Sequence, residues 1–302
     1  MKALTLLLVV SIVTACACSR TSAPRDSEKP VDDPYREKLF ADFFVKEDSL
    51  LYNGFEVVKL EKEVTQETSG NRVRVSYAVL RKGDQVLAVF EGIYSPMGNG
   101  TAFGLASLLG SQSKQLLVSQ TIPRRGRHWI ADLDSNGAVL FDSRDFNLGR
   151  EDALVMDIDK DGVSEIGLAL TAFWNFGPTA SSEQEALPMI VFKYDPAARK
   201  YLPANPFFAY GLDHIDEDAK EVDPGETASD TVASGYLEKR LGILLRYVYA
   251  GKREQGWAFF DRTYKRADVD QIRPAIQKRL EQEPIYSFIY GEPVKPRPAK
   301  AN

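Results

Sequence analysis

The chain contains 302 residues, carries a formal net charge of −5 and is 44% hydrophobic. Because nucleic-acid binding needs a basic surface that displaces counterions, this mildly acidic composition excludes nucleic acid as an expected partner. The two cysteines, Cys16 and Cys18, stand together near the N-terminus, so the remainder of the chain has to be stable without disulfides. A chain of this length can bury a core large enough for that.

The N-terminus has the features of a secretory signal peptide. Lys2 precedes an apolar run over residues 4–13, and small residues follow it. The run is shorter than the about 20 apolar residues that a membrane-spanning helix needs, and no run of that length follows it. We therefore predict that membrane attachment is made by something other than a spanning helix.

Residues 13–16, Val-Thr-Ala-Cys, resemble the lipobox of bacterial lipoproteins, in which the signal peptidase cleaves before a cysteine that carries lipid. The resemblance implies that residues 1–15 are removed and that Cys16 is acylated, which would anchor the protein in the bacterial cell envelope. Several acyl chains on one cysteine would give stable anchorage. By the same resemblance, Ala17 directs the protein to the outer membrane of a Gram-negative cell. The alternatives are an ordinary cleaved signal and acylation at Cys18.

Two segments of different composition follow the cysteines, the first polar and the second with regularly spaced apolar residues. Residues 16–34 are polar, contain three prolines and lack periodicity, which is typical of a flexible tether. The next apolar residues fall at spacings that share one face of a helix; they are Leu39, Phe40, Phe43 and Phe44. This spacing predicts a short helix over residues 34–48.

From Phe55 onward, apolar residues alternate with polar ones, as in a half-buried strand. Residues 72–81 and 85–94 alternate on either side of a turn at residues 82–84, Lys-Gly-Asp, and predict a hairpin. Further strands are predicted at short intervals over residues 115–121, 128–133, 138–141, 153–158, 165–172 and 188–194. The pattern favours a mainly β domain over residues 35–212, built as a meander or a partial β-propeller.

The C-terminal third has a helical pattern. An acidic, turn-rich stretch over residues 213–235 predicts a linker. Beyond it, apolar residues at helical spacing predict a helical appendage over residues 236–290 that packs on the sheet, with Asp268 as the N-cap of its last helix. The composition of residues 291–302 predicts a disordered tail.

Residues 157–166, DIDKDGVSEI, place acidic side chains around a single glycine, Gly162. A hard cation such as Ca²⁺ takes six to eight oxygen ligands, and alternate carboxylates in a tight loop converge on one point. Carboxylates packed this closely repel one another unless a cation neutralises them. The twelfth position, counted from Asp157, holds Leu168 where an EF-hand needs a glutamate, so the pattern excludes an EF-hand.

With its strand-like flanks, VMDIDKDGVSEIGLAL, the loop resembles the Asp-x-Asp-x-Asp-Gly-x-x-Asp/Glu calcium loops of FG-GAP repeats in integrin-like β-propellers. The resemblance implies a Ca²⁺ site whose ligands are the side chains of Asp157, Asp159, Asp161 and Glu165 and the carbonyl of Val163. It also implies that the loop joins two neighbouring strands. A solvated acidic turn is the alternative interpretation.

A second, degenerate copy of the pattern precedes the loop. Asp132, Asp134 and Asn136 stand before Gly137, but Leu140 occupies the position that corresponds to Glu165. Asn-Gly is also the strongest two-residue hairpin signal. We favour a turn here, with a second metal site as the alternative.

An aromatic cluster follows the strand that leaves the loop. Phe173, Trp174 and Phe176 lie within TAFWNFGP, and exposed aromatic residues often anchor interfaces. These residues are candidates for binding a protein or glycan partner at the envelope. Packing in the core is the alternative.

Catalytic motifs are lacking in the sequence, which has no His-Glu-x-x-His pair, no Gly-x-Ser-x-Gly and no phosphate-binding loop. We therefore expect a non-catalytic, calcium-stabilised binding or structural lipoprotein of the envelope. The alternative is an envelope hydrolase that cleaves glycan or peptide with carboxylates in an acidic cleft.

Overall fold

Thirteen β-strands and five α-helices lie in the residues that the computed structural model describes, which are 38–66, 69–92, 94–95, 97–122, 125–146, 148–174, 176, 188–208, 210–225 and 233–292. All of them belong to one unit, Tyr35–Asn302. The predicted signal peptide, the lipidation site Cys16 and the tether lie outside the described residues, as does the tail from residue 293.

The strands form three antiparallel sheets. Their bounds are β1 (Lys38–Leu39), β2 (Ser49–Tyr52), β3 (Phe55–Thr65), β4 (Arg72–Lys82), β5 (Gln85–Phe90), β6 (Gly100–Ala106), β7 (Gln115–Ile122), β8 (Arg125–Asp132), β9 (Val139–Asp142), β10 (Leu148–Met156), β11 (Glu165–Leu170), β12 (Met189–Asp195) and β13 (Lys200–Pro203). The first sheet has the order β2-β3-β4-β5, the second β6-β7-β8-β9 and the third β1-β10-β11-β12-β13. Because neighbours in each sheet are mostly consecutive in the chain, the prediction of a mainly β meander is confirmed.

The helices follow the strands. They are α1 (Tyr210–Lys220), α2 (Ala233–Tyr249), α3 (Arg253–Thr263), α4 (Val269–Leu280) and α5 (Pro284–Tyr290), and shorter 3₁₀ turns cover Phe40–Phe43, Ser143–Phe146 and Asn205–Phe207. Asp268 is the N-cap residue of α4, as predicted, although its side chain accepts a hydrogen bond from Tyr264 and makes none to the helix end. Within the described part of the chain, no helix has the length and apolarity to cross a bilayer.

Two apolar cores hold the elements together. The first two sheets bury one core between them, where Phe55 and Leu80 of the first sheet join Trp129 of the second. The third sheet, the helices and the other face of the second sheet bury the second core, in which Ile166 and Phe192 lie in one cluster with Ile130 and Leu244. The C-terminal helices therefore pack on the sheet, which confirms the predicted helical appendage.

The predicted helix over residues 34–48 is wrong where the structure describes it. Residues 38 and 39 form β1, a single 3₁₀ turn follows, and the chain is then extended, with the N–H of Val45 donating to the carbonyl of Phe103 at 2.9 Å. A Cβ at Gly104 would lie 1.8 Å from the carbonyl oxygen of Phe43, so the approach of this segment to β6 requires glycine. Burial of Phe40 in the core outweighs the helical spacing.

The acidic stretch predicted as a linker contains a helix. Helix α1 occupies its first part, and Ile215 and Ala219 of α1 pack with Ile243 and Tyr247 of α2 in a small third cluster. Helix α5 lies inside the predicted helical region but was not resolved from the sequence pattern as a separate helix.

Candidate metal centre

The acidic loop joins β10 to β11, two antiparallel neighbours whose last ladder pair is Met156 and Glu165. The backbone reverses through two residues with positive φ, Lys160 at 61° and Gly162 at 83°. The N–H of Gly162 donates to Oδ2 of Asp157 at 3.1 Å, and the N–H of Val163 donates to Oδ1 of Asp161 at 2.8 Å. These bonds hold the carboxylates of Asp157 and Asp161 against the backbone of the loop.

Three predicted ligands meet at one point. One carboxylate oxygen from each of Asp157, Asp159 and Glu165 lies within 4.8 Å of the others, and this is the only such group of three in the part of the chain that the structure describes. Glu165 is fully buried, and its Oε2 accepts the N–H of Ile158 at 2.8 Å. The Oδ1 atom of Asp157 is buried and has no hydrogen-bond partner.

A lysine that the sequence pattern did not reveal lies against these carboxylates. Lys193 of β12 contacts Oδ2 of Asp159 with its ammonium group, Oδ2 of Asp161 at 2.7 Å and Oε1 of Glu165 at 3.2 Å. The side chain of Lys193 is about one-third exposed, at 31%. The ammonium group of Lys193 thus neutralises part of the negative charge that was expected to need a bound metal ion.

The ionisation of the cluster follows from these contacts. Burial raises the pKa of Glu165, and its hydrogen bonds to Ile158 and Lys193 only partly oppose that rise. The hydrogen bond from Lys193 lowers the pKa of Asp161. Desolvation alone would lower the pKa of Lys193, but its three carboxylate partners raise it above the usual value. The cluster therefore keeps a charged lysine at neutral pH.

The end of the loop is tied to two other parts of the fold. The N–H of Ser164 donates to the carbonyl of Leu108, between β6 and β7, at 2.7 Å. The hydroxyl of Tyr201 on β13 donates to the carbonyl of Ser164 at 3.2 Å.

The degenerate second loop has the contacts of a turn. Oδ1 of Asp132 accepts the N–H of Asp134 at 3.0 Å, and its Oδ2 accepts the hydroxyl of Ser135 at 2.6 Å. Oδ2 of Asp134 accepts the N–H of Lys114 at 2.8 Å, and Oδ1 of Asn136 accepts the N–H of Ala138 at 3.1 Å. Since internal donors engage these oxygens, the geometry favours the hairpin turn.

The three aromatic candidates have different surroundings. Phe173 is buried in the core, and the ring of Phe176 packs on it at 5.4 Å, so these two residues contribute to packing. Trp174 is half-buried, its ring lies 5.3 Å from the guanidinium of Arg125, and its buried Nε1 has no hydrogen-bond partner. Of the predicted partner-binding set, Trp174 and Phe176 are partly exposed, whereas Phe173 is buried.

A buried serine–histidine pair lies on the second sheet. Oγ of Ser119 is 2.8 Å from Nδ1 of His128. His128 is fully buried and packs edge-on against Phe40, so a dissolved substrate has no route to the pair in this arrangement. The other histidine, His214, lies on the exposed surface of α1.

Comparisons of the chain with protein-family models, with curated protein sequences and with solved structures find no match. The resemblances of residues 13–16 to a lipobox and of residues 155–170 to FG-GAP calcium loops remain predictions from the sequence.

Proposed function

We propose that the protein is a non-catalytic lipoprotein of the bacterial envelope in which the loop at residues 157–165 binds Ca²⁺ and stiffens the third sheet. The observation that carries the proposal is the buried, unpartnered Oδ1 of Asp157, whose carboxylate group also lies close to those of Asp159 and Glu165. A buried acceptor without a partner costs about 1–3 kcal/mol, and a bound cation would remove that cost.

Calcium is the cation that fits this set of donors. Every candidate ligand is an oxygen, and the group contains neither histidine nor cysteine, which favours a hard ion over zinc. Ca²⁺ accepts irregular sets of carboxylate oxygens, whereas Mg²⁺ demands near-ideal octahedral geometry. In this proposal Ca²⁺ and the Lys193 ammonium compete for the same carboxylates, so the binding is weak, in the range of about 0.1–1 mM typical of extracellular modules.

The competition predicts how a lysine variant responds to calcium. In Lys193→Met, the carboxylates lose their internal cation, so the variant is less stable than the wild type in chelator, by about 1–2 kcal/mol. Saturating Ca²⁺ restores that stability and binds at least about tenfold more tightly than to the wild type, because no ammonium has to be displaced. Thermal unfolding of the full chain in detergent, with and without Ca²⁺, measures both effects.

Two aspartate variants provide the matched comparison. Asp157→Asn removes a charged ligand and abolishes the calcium response, whereas Asp84→Asn makes the same change in the exposed turn after β4 and leaves it intact. The proposal is wrong if Lys193→Met gains no stability from Ca²⁺, or if Asp84→Asn loses the response as completely as Asp157→Asn.

Lipid anchorage is proposed from the sequence at residues 13–16, and the two neighbouring cysteines allow a sharp test. Cys16→Ser should leave the precursor uncleaved and without lipid, whereas Cys18→Ser should be processed and recovered with the membrane fraction like the wild type. The physical reason is that only several acyl chains, at about 0.8 kcal/mol per buried methylene, hold a protein stably on a bilayer. Intact-mass measurement of the membrane fraction distinguishes the variants, and a lipidated Cys16→Ser protein would contradict the assignment.

A further inference from the structure

The outer face of the first sheet carries several exposed apolar side chains, although Val75 and Val79 on the same face are already buried within one copy. Strand register defines this outer face, because Val58 of β3 lies opposite Val79 of β4, and Val79 lies opposite Val89 of β5. Side chains of directly paired residues point to the same side of an antiparallel sheet. The opposite face carries Phe55 and Leu80, which belong to the core shared with the second sheet.

The same register places further apolar residues on the outer face. Leu60 lies opposite Tyr77, and Val86 lies opposite Arg81, two residues along from Val79. Four large side chains there are between 40% and 76% exposed; they are Leu51, Leu60, Val86 and Val89. Contiguous apolar surface of this kind on a sheet marks an interaction site or an aggregation hazard.

The chain itself offers little that would cover the outer face. None of the three apolar clusters formed by the described residues includes Val58 or Val79. The remaining segments downstream of the predicted cleavage site are polar in composition, chiefly residues 16–37, 177–187, 226–232 and 293–302. An apolar face needs an apolar complement, so the covering surface has to come from another molecule.

We propose that a second copy of this chain covers the outer face, with the two first sheets packed face to face about a two-fold axis. The axis runs parallel to the strands, between the two sheets and midway between β3 and β4. It places β3 of one copy over β4 of the other, so each residue of β3 faces the residue of β4 with which it pairs inside its own sheet. Val58 then meets Val79, and Glu56 meets Arg81, so the ion pair that Glu56 and Arg81 form within one copy finds opposite charges across the interface. Two sheets of identical twist pack in this aligned manner at about 30°.

The whole face of the first sheet, with its ion pairs included, approaches the size of a stable dimer interface. Strands β3 and β4 are each 11 residues long, and two shorter strands flank them. At about 3.3 Å per residue and about 4.8 Å between strands, the sheet covers a flat area of roughly 500 Å². The accessible surface of the side chains on that area is larger than the flat area itself. Stable interfaces bury about 800 Å² of accessible surface per partner, which this face approaches.

Sedimentation velocity of the full chain in mild detergent, over the micromolar range, tests the proposal. The wild type should sediment as a dimer. Leu60→Glu and Val89→Glu bury a like-charged carboxylate in an apolar interface, so each should weaken the dimer by at least about a hundredfold. Both residues are exposed in one copy, so circular dichroism and the thermal midpoint of the variants should match those of the wild type.

A matched control uses Phe207, which is 82% exposed and lies outside the first sheet. Phe207→Glu introduces the same charge in place of an exposed apolar side chain and should leave the dimer unchanged. A wild type that stays monomeric overturns the proposal, and so does a dimer that survives both glutamates in the first sheet or dissociates in Phe207→Glu. Chelator has no effect on the expected dimer, because the outer face and the acidic loop are separate.

Discussion

Replacing Phe192 with alanine is expected to lower the free energy of unfolding by about 3–5 kcal/mol, the cost of deleting a fully buried phenylalanine. Phe192 lies on β12 at 0% exposure, and its ring is 5.0 Å from the rings of both Phe141 and Phe146. These two rings belong to β9 of the second sheet and to the 3₁₀ turn after it, so the cavity weakens the contact between the third sheet and the second. Urea denaturation measures the loss.

The control for this variant is Phe207→Ala. Phe207 is almost fully exposed, so removing its ring should change the free energy of unfolding by no more than about 0.5 kcal/mol. If the two alanine variants are equally stable, the core assigned to β12 does not exist as described.

The second large effect is a steep loss of stability above about pH 10. Burial raises the pKa of five tyrosines, to about 12 for Tyr247 and to higher values for Tyr201, Tyr249, Tyr264 and Tyr290. A tyrosine in the unfolded chain ionises near its ordinary pKa of about 10, whereas these tyrosines stay neutral in the folded protein. Their contribution to stability is therefore complete below pH 10 and is lost as the pH rises, by about 1 kcal/mol each between about pH 10 and 11.

Tyr249→Phe separates this effect from general alkaline damage. The hydroxyl of Tyr249 is buried without a hydrogen-bond partner, so its removal should be neutral or stabilising at pH 7, by up to about 1 kcal/mol. The variant should also lose about 1 kcal/mol less than the wild type on going from about pH 10 to 11. Tyr290→Phe is the contrasting variant, because its hydroxyl donates to the carbonyl of Val248 at 2.6 Å, and it should be destabilised already at pH 7. Urea denaturation at each pH measures these changes in stability. If Tyr249→Phe loses as much stability as the wild type between about pH 10 and 11, ionisation of Tyr249 does not cause the alkaline loss.

The alternation of apolar and polar residues was sufficient to predict most of the strands. The hairpin of β4 and β5 closes through Gly83, whose φ of 57° explains the glycine of the predicted turn. Strand β6 was not predicted, because its glycines and alanines carry little hydrophobic pattern and it pairs through its backbone with β7. The helix predicted around Phe40 is wrong because local spacing cannot show that this segment will pair with a strand that is distant in the sequence.

The candidate metal centre was predictable only in its local part. The spacing from Asp157 to Glu165 identified the loop and its reversal at Gly162, since all these residues lie within one turn. Lys193 is 28 positions beyond Glu165 and comes next to it only through the pairing of β11 with β12. A lone lysine inside the apolar run IVFKY was the available signal, and its meaning depends on strand register that spacing alone does not supply.

Isothermal titration calorimetry of the full chain with CaCl₂ tests the central claim most directly. The account predicts one ion per chain, a dissociation constant of about 0.1–1 mM, and tighter binding by Lys193→Met. Absence of heat from both proteins up to tens of millimolar Ca²⁺ would show that Lys193 alone serves as the cation of the loop and would contradict the account.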